Sequence, residues 1–291
     1  MNNYEKLEGM VAATFTPLDE NGDVNLSVID KYADWIASTP IKGVFVCGTT
    51  GEFSSLTIDE RKLILEKWLV SARKRFKVIA HVGSNCQRSA MELARHAAQV
   101  GADAIASIAP SFFKPGTVDE LVDFFAPICH SAAGLPFYYY NMPSITGVNL
   151  PVDKFLVEGK KKIPNLVGTK FTHNNLMEMG VCIELEQHRF EVLHGYDEIL
   201  ISGLAMGAVA GVGSTYNYIP NVYQAIFYSM KMNDLETARH NQIKSIRTVE
   251  VIIKYGGGVR GGKAIMKLIG IDCGSCRLPI KTFFLLMNMK N

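Results

Sequence analysis

The strongest chemical signal in this sequence is a lysine at the end of an otherwise uncharged run, Asn165-Leu166-Val167-Gly168-Thr169-Lys170-Phe171. Read as a strand, the run alternates its side chains, so Leu166, Gly168 and Lys170 share one face and Val167, Thr169 and Phe171 the other. A lysine buried at a strand end loses hydration, which disfavours the ammonium form. The neutral amine can attack a ketone and form a Schiff base. The same residues equally suit a lysine that extends its amine to solvent. A second candidate is Tyr140, which closes the run Phe137-Tyr138-Tyr139-Tyr140 just before the turn-like Asn141-Met142-Pro143. A phenol beside a lysine can act as general acid or base, although core packing of an aromatic ring is the alternative, and it suits Tyr138 and Tyr139 well.

Three further segments combine glycine with polar side chains. In Gly48-Thr49-Thr50-Gly51-Glu52, backbone N–H groups and two hydroxyls can hold an anion, or simply make a turn. In Gly195-Tyr196-Asp197-Glu198, adjacent carboxylates can bind sugar hydroxyls or a metal, or begin a helix. Gly211-Val212-Gly213-Ser214-Thr215 lies where barrels often bind phosphate. Two other motifs carry little. Gly257-Gly258-Val259-Arg260-Gly261-Gly262-Lys263 has phosphate-loop spacing, but Ala264 stands where a magnesium-binding hydroxyl belongs, and a helical pattern precedes it. Cys273-Gly274-Ser275-Cys276 lacks the two further ligands that zinc requires. The seven histidines are dispersed, so no catalytic metal is expected.

The elements that must position these residues follow from hydrophobic periodicity. Short apolar runs at 9–15, 43–47, 77–81, 104–108, 136–140, 166–171, 190–194 and 208–212 read as strands. Amphipathic stretches between them read as helices. One covers 57–73, with Leu63, Ile64, Trp68, Leu69 and Ala72 on its apolar stripe and Thr57 with Glu60 as a capping box. Eight such alternations predict parallel strands closed into a (β/α)8 TIM barrel. Residues 1–216 would form the barrel through its eighth strand, and 217–291 a closing helix and a C-terminal helical extension. Helices are expected at 218–232, 235–254 and 260–269, with a fourth near the chain end. An open doubly wound sheet is the alternative fold, but no Gly-x-Gly-x-x-Gly follows the first strand.

Composition agrees. The chain has 291 residues, 48% of them hydrophobic, with a formal net charge of +2, which does not suit a nucleic-acid partner. Lys160-Lys161-Lys162 reads as a solvated helix end. The N-terminus carries acidic residues and no uninterrupted apolar core, and no run reaches membrane-spanning length. Six scattered cysteines fit reduced, buried thiols in a cytoplasmic enzyme.

Taken together, these motifs resemble the N-acetylneuraminate lyase branch of the dihydrodipicolinate synthase family of Schiff-base aldolases. The matching segments are Gly48–Glu52, Tyr140-Asn141-Met142-Pro143 with Thr146-Gly147-Val148, Gly168-Thr169-Lys170, Gly195–Glu198 and Gly213-Ser214-Thr215-Tyr216-Asn217, in order and each at an expected strand end. Residues 109–115 and Lys263-Ala264-Ile265-Met266 look closer to the animal-type lyases. The resemblance implies a Schiff base between Lys170 and the ketone of sialic acid, with Tyr140 moving protons. It also implies that Thr49 and Thr50 hold the carboxylate, and that Thr172, Gly195, Asp197, Glu198 and Ser214 contact the sugar. Pyruvate and N-acetylmannosamine would be the products, with no cofactor and with a homotetrameric assembly. One position departs from the pattern: Phe112 stands where many relatives carry an interface tyrosine, and a phenyl ring cannot relay a proton. Dihydrodipicolinate synthase itself is a competing reading, but Ile145 occupies the place of its carboxylate-pairing arginine, and an apolar side chain cannot make that pair. A catalytically silent small-molecule-binding relative is a third.

Overall fold

A computed structural model describes residues 4–281. Its strands are β1 (Gly9–Ala13), β2 (Gly43–Val46), β3 (Lys77–His81), β4 (Ala104–Ile108), β5 (Phe137–Asn141), β6 (Leu166–Phe171), β7 (Glu191–His194) and β8 (Ala210–Gly213). They pair in chain order, and β8 returns in parallel to β1 to close the barrel. This is the (β/α)8 fold expected from the alternation, and no strand bound moves by more than two residues from its expected place.

The helices are α1 (Val28–Ala37), α2 (Ile58–Ala72), α3 (Gln87–Val100), α4 (Val118–Ser131), the short α5 (Pro143–Thr146), α6 (Val152–Lys162), α7 (Leu176–Glu184), α8 (Leu200–Ala205), α9 (Pro220–Lys231), α10 (Leu235–Lys254) and α11 (Gly258–Leu268). The helix expected near the chain end lies outside the described residues. At the start of α2 the Thr57 hydroxyl accepts from the Glu60 N–H at 3.2 Å, and the Glu60 carboxylate accepts from the Thr57 N–H at 2.8 Å. This reciprocal cap satisfies two amides that the first turn leaves open. The buried face of α2 is Ile64, Leu65, Trp68 and Ala72, whereas Leu63 is exposed. The stripe is therefore rotated toward Leu65 relative to the expected one. Lys160, Lys161 and Lys162 form the last turn of α6. The cysteines are free, but Cys86 is exposed and Cys276 half-buried, so burial holds only for Cys47, Cys129, Cys182 and Cys273.

Alternation divides the core in two. Inward side chains, among them Val11, Phe45, Ile79, Tyr138, Tyr140, Leu193 and Val212, fill the barrel. Outward ones meet the helices: Tyr139, for example, packs 4.7 Å from the Phe155 ring. The face expected for β6 is corrected at its start. Phe137 pairs with Leu166 but Tyr138 pairs with Gly168, so one extra residue is inserted in β6. That irregularity places Leu166 in the outer core and Val167 against the inner one. Beyond it the alternation resumes and Lys170 points inward.

Candidate active site

Lys170 stands at the C-terminal end of β6, beside Tyr140 of β5 and Leu193 of β7. Its side chain is buried, and Nζ lies 3.9 Å from the Tyr140 ring centroid and 4.6 Å from that of Phe45. Burial strips hydration from an ammonium, while the two ring faces partly compensate a cation. The amine is therefore buried against two aromatic rings at the C-terminal end of β6, the end at which barrel enzymes place their chemistry. The Tyr140 hydroxyl lies 3.2 Å from the Thr49 hydroxyl and donates to Met142 Sδ at 3.0 Å. Amine, phenol and threonine hydroxyl thus come together although they are separated by up to 121 positions in the chain (170 − 49).

The turn carrying Thr49 and Thr50 is held from below. Cys47 has φ of +55°, a left-handed conformation uncommon outside glycine. His81 bridges its carbonyl, through Nδ1 at 2.8 Å, to the Ile108 N–H, which donates to Nε2 at 3.3 Å. With one nitrogen donating and the other accepting, the ring is neutral. Burial, then the nearby Arg61 and Lys170 charges, hold its pKa well below the ordinary histidine range. Arg61 itself donates to the carbonyls of His81 at 2.6 Å and Gly83 at 2.9 Å.

On the opposite side of the mouth are Thr172, Gly195, Asp197, Glu198 and Ser214. The first two touch: a Cβ on Gly195 would stand 2.0 Å from Thr172 Oγ1, so only glycine fits there. Asp197 is buried, and its Oδ2 accepts from the Thr215 N–H at 2.9 Å and hydroxyl at 2.6 Å. The loops after β7 and β8 are tied by this carboxylate. Asp197 Oδ1 and Thr172 Oγ1 have no partner among the described residues, and a buried polar atom without a partner is costly unless a ligand or water supplies one. Glu198 and Ser214 are half-buried. The carboxylates therefore begin a short helical turn, as their alternative reading had it, while one oxygen of Asp197 remains unused.

Burial raises the Asp197 carboxyl to about 6, against the lowering effect of the Thr215 bonds. In the unfolded chain it would ionise near 3.8, its ordinary value, so between those limits the folded state holds the extra proton. The contribution of Asp197 to stability therefore falls as pH rises through that window and is level above it. Thermal melts of Asp197→Asn, which keeps an acceptor for Thr215, should show its Tm climbing relative to wild type from about pH 4 to about pH 6. A constant difference across that range would mean that the carboxyl titrates normally.

Several residues that brace the site belong to no local sequence motif. Gln242 and Ser245 of α10 donate to the Asp197 carbonyl at 3.0 and 3.2 Å. Tyr223 of α9 bonds both Thr215 and Ser245. No local pattern marks these residues; Gln242 and Ser245 read as an ordinary helical face, and His81 as the end of an apolar strand.

A closed barrel with a buried lysine at the end of its sixth strand and a phenol beside it defines a class of enzymes built for amine–ketone chemistry, and the chain belongs to the Dihydrodipicolinate synthetase family, whose profile matches residues 6–285. Within that family it is 43% identical over 281 residues to N-acetylneuraminate lyase of Mus musculus, covering 95% of this chain and 88% of that protein. Its fold matches that of Proteus mirabilis N-acetylneuraminate lyase with a TM-score of 0.94 and 36% identity, over 97% of this chain and 95% of the other. It also matches a Ruminococcus gnavus sialic acid aldolase whose structure carries a catalytic lysine mutation, with a TM-score of 0.92 and 27% identity, over 97% and 92% of the two chains.

Proposed function

We propose that this protein is a carbon–carbon lyase that cleaves N-acetylneuraminate reversibly to N-acetylmannosamine and pyruvate through a Schiff base on Lys170, without a cofactor. The observation that carries the proposal is the buried Lys170 amine, 3.9 Å from the Tyr140 ring, in a chain with 43% identity to a lyase of that name. The amine adds to the C2 ketone and water leaves. Thr49 and Thr50 hold the adjacent carboxylate. Tyr140 takes the proton of the C4 hydroxyl, directly or through that carboxylate, as the C3–C4 bond breaks and its electron pair flows into the iminium. The aldehyde departs, the enamine is protonated at C3, and water releases pyruvate. Release of pyruvate from N-acetylneuraminate by the purified protein tests the reading; no release, with turnover of a different aldehyde acceptor, would overturn it.

The sugar would lie against Thr172, Gly195, Asp197, Glu198 and Ser214. The unused oxygens of Thr172 and Asp197 support this, because ionised carboxylates accept from sugar hydroxyls. A phosphate would face Asp197 and Glu198 at close range, a repulsive arrangement. A second carboxylate, as in a synthase substrate, meets the same repulsion, and Ile145, exposed and apolar, offers it no partner. Glu198→Ala should raise the Michaelis constant for N-acetylneuraminate, at a cost of about 1–3 kcal/mol, while pyruvate still traps on Lys170. A lowered Tm with an unchanged Michaelis constant would return Glu198 to a helix-start role.

The proposal extends to a cytoplasmic homotetramer, with residues 1–216 as the barrel and 217–291 as its helical extension. No helix among the described residues is long and apolar enough to cross a membrane. Phe112 and Phe113 are 78% and 86% exposed, their rings edge to face at 5.0 Å. Two adjacent solvent-facing phenyl rings suit a subunit interface. Light scattering at micromolar concentration should give four times the chain mass, and Phe112→Asp with Phe113→Asp should give smaller species; a wild-type monomer would count against the assembly.

A further inference from the structure

We propose that the buried ion pair between Glu52 and Lys263 positions the Thr49–Thr50 turn, so that the C-terminal helical extension sets the affinity for the substrate carboxylate. This rests on the reading above that the turn holds that carboxylate. The Glu52 and Lys263 side chains are 1% and 2% exposed, and Lys263 Nζ lies 2.7 Å from Glu52 Oε1. Glu52 Oε2 accepts from the Arg277 N–H at 2.9 Å, and Lys263 Nζ also donates to the Ser275 carbonyl at 2.7 Å. The carboxylate is thus engaged at both oxygens, by an ion pair at Oε1 and a hydrogen bond at Oε2, from residues more than two hundred positions away.

Glu52 belongs to the turn itself. It adopts a left-handed conformation with φ of +56°, and its N–H donates to the Thr49 carbonyl at 3.1 Å. Its side chain leaves the turn toward α11, so the position of Lys263 is transmitted through one residue to Thr49. The Thr49 hydroxyl in turn meets the Tyr140 phenol at 3.2 Å. The glycine-rich approach to Lys263 now has an explanation. A Cβ on Gly262 would stand 2.2 Å from the Phe15 ring, and one on Gly261 3.1 Å from Ile252. Glycines there let α11 close on the barrel and deliver the ammonium to Glu52. Beyond α11, Arg277 donates to the Gly22 and Ser55 carbonyls, each at 2.8 Å, and pairs with Glu60. The segment after the substrate turn is therefore gripped at Glu52, Ser55 and Glu60 by the end of the described chain. A buried ion pair is a poor stabiliser compared with apolar side chains of the same volume, but a directional one. Its placement three residues from Thr49 gives that direction a use.

The test uses the full-length protein with Lys263→Met, Glu52→Gln, their double variant, and Thr49→Val alone and combined with Thr50→Val. Three quantities are read: Tm, the pyruvate concentration giving half-maximal borohydride trapping, and trapping of acetone, a ketone without a carboxylate. The single variants leave one charge buried alone and are expected to lower Tm. The double variant should recover most of that Tm and still need at least tenfold more pyruvate, with acetone trapping at the wild-type rate. Recovery of both Tm and pyruvate saturation in the double variant would overturn the proposal and leave the pair a purely structural one. Thr49→Val separates the underlying reading. If it weakens pyruvate trapping while the double variant does not, only the ion-pair proposal fails. If Thr49→Val combined with Thr50→Val leaves pyruvate trapping unchanged, the two hydroxyls do not hold the carboxylate and both readings fail.

Discussion

Replacing Lys170 with alanine is expected to lower turnover by on the order of 10⁴-fold or more, because a covalent route closes entirely when its nucleophile is removed. Incubating the wild type with pyruvate and borohydride should place a reduced pyruvyl group on Lys170 alone, identified by peptide mass spectrometry. The position explains the selectivity. Lys170 is buried between Tyr140 and Phe45, beside the Thr49–Tyr140 hydroxyl pair proposed to bind and turn over the ketone. Lys170→Arg is as informative as alanine, since a guanidinium keeps the charge but is not deprotonated in proteins and forms no Schiff base. An adduct on another lysine, or substantial turnover in either variant, would remove the proposed mechanism.

Tyr140→Phe should lower the turnover rate by about 10²–10⁴-fold, the usual span for loss of a positioned acid or base. Two roles of Tyr140 can be separated here. Its ring packs against the amine, and phenylalanine keeps that contact. Its hydroxyl, 3.2 Å from Thr49 Oγ1, is the group proposed to move protons, and phenylalanine removes it. Trapping of pyruvate on Lys170 should therefore persist in Tyr140→Phe while cleavage slows, whereas Tyr140→Ala should damage both. Cleavage at the wild-type rate in Tyr140→Phe would leave the tyrosine a packing residue, the alternative that its apolar neighbours always allowed.

The sequence by itself determined what is local or periodic. Alternation within β6 and β5 grouped Lys170 with Gly168 and Tyr140 with Tyr138, because consecutive side chains of a strand must point to opposite sides, and closure of the barrel made those faces the inward ones. The Thr57–Glu60 cap and the eight-fold repetition of strand and helix were likewise readable, since each depends on residues a few positions apart. Glycine-bearing turns after β2, β7 and β8 were recognisable as a set because a barrel gathers all its strand ends on one rim. What tertiary structure alone decided is which distant residues brace that rim. The inserted residue at the start of β6, which turned Leu166 outward, depends on the register adopted against β5, and no pattern inside β6 announces it. His81 read as the last residue of a strand, yet it joins Cys47 to Ile108. Gln242 and Ser245 support Asp197 from 45 and 48 positions away. Lys263, whose glycine-rich surroundings suggested a phosphate loop only to be discounted, reaches Glu52. Periodicity reports which side of an element is buried but carries no record of which element lies opposite. That pairing is fixed only when the chain closes, β8 against β1, and the C-terminal helices fold back over the barrel to meet turns formed two hundred residues earlier.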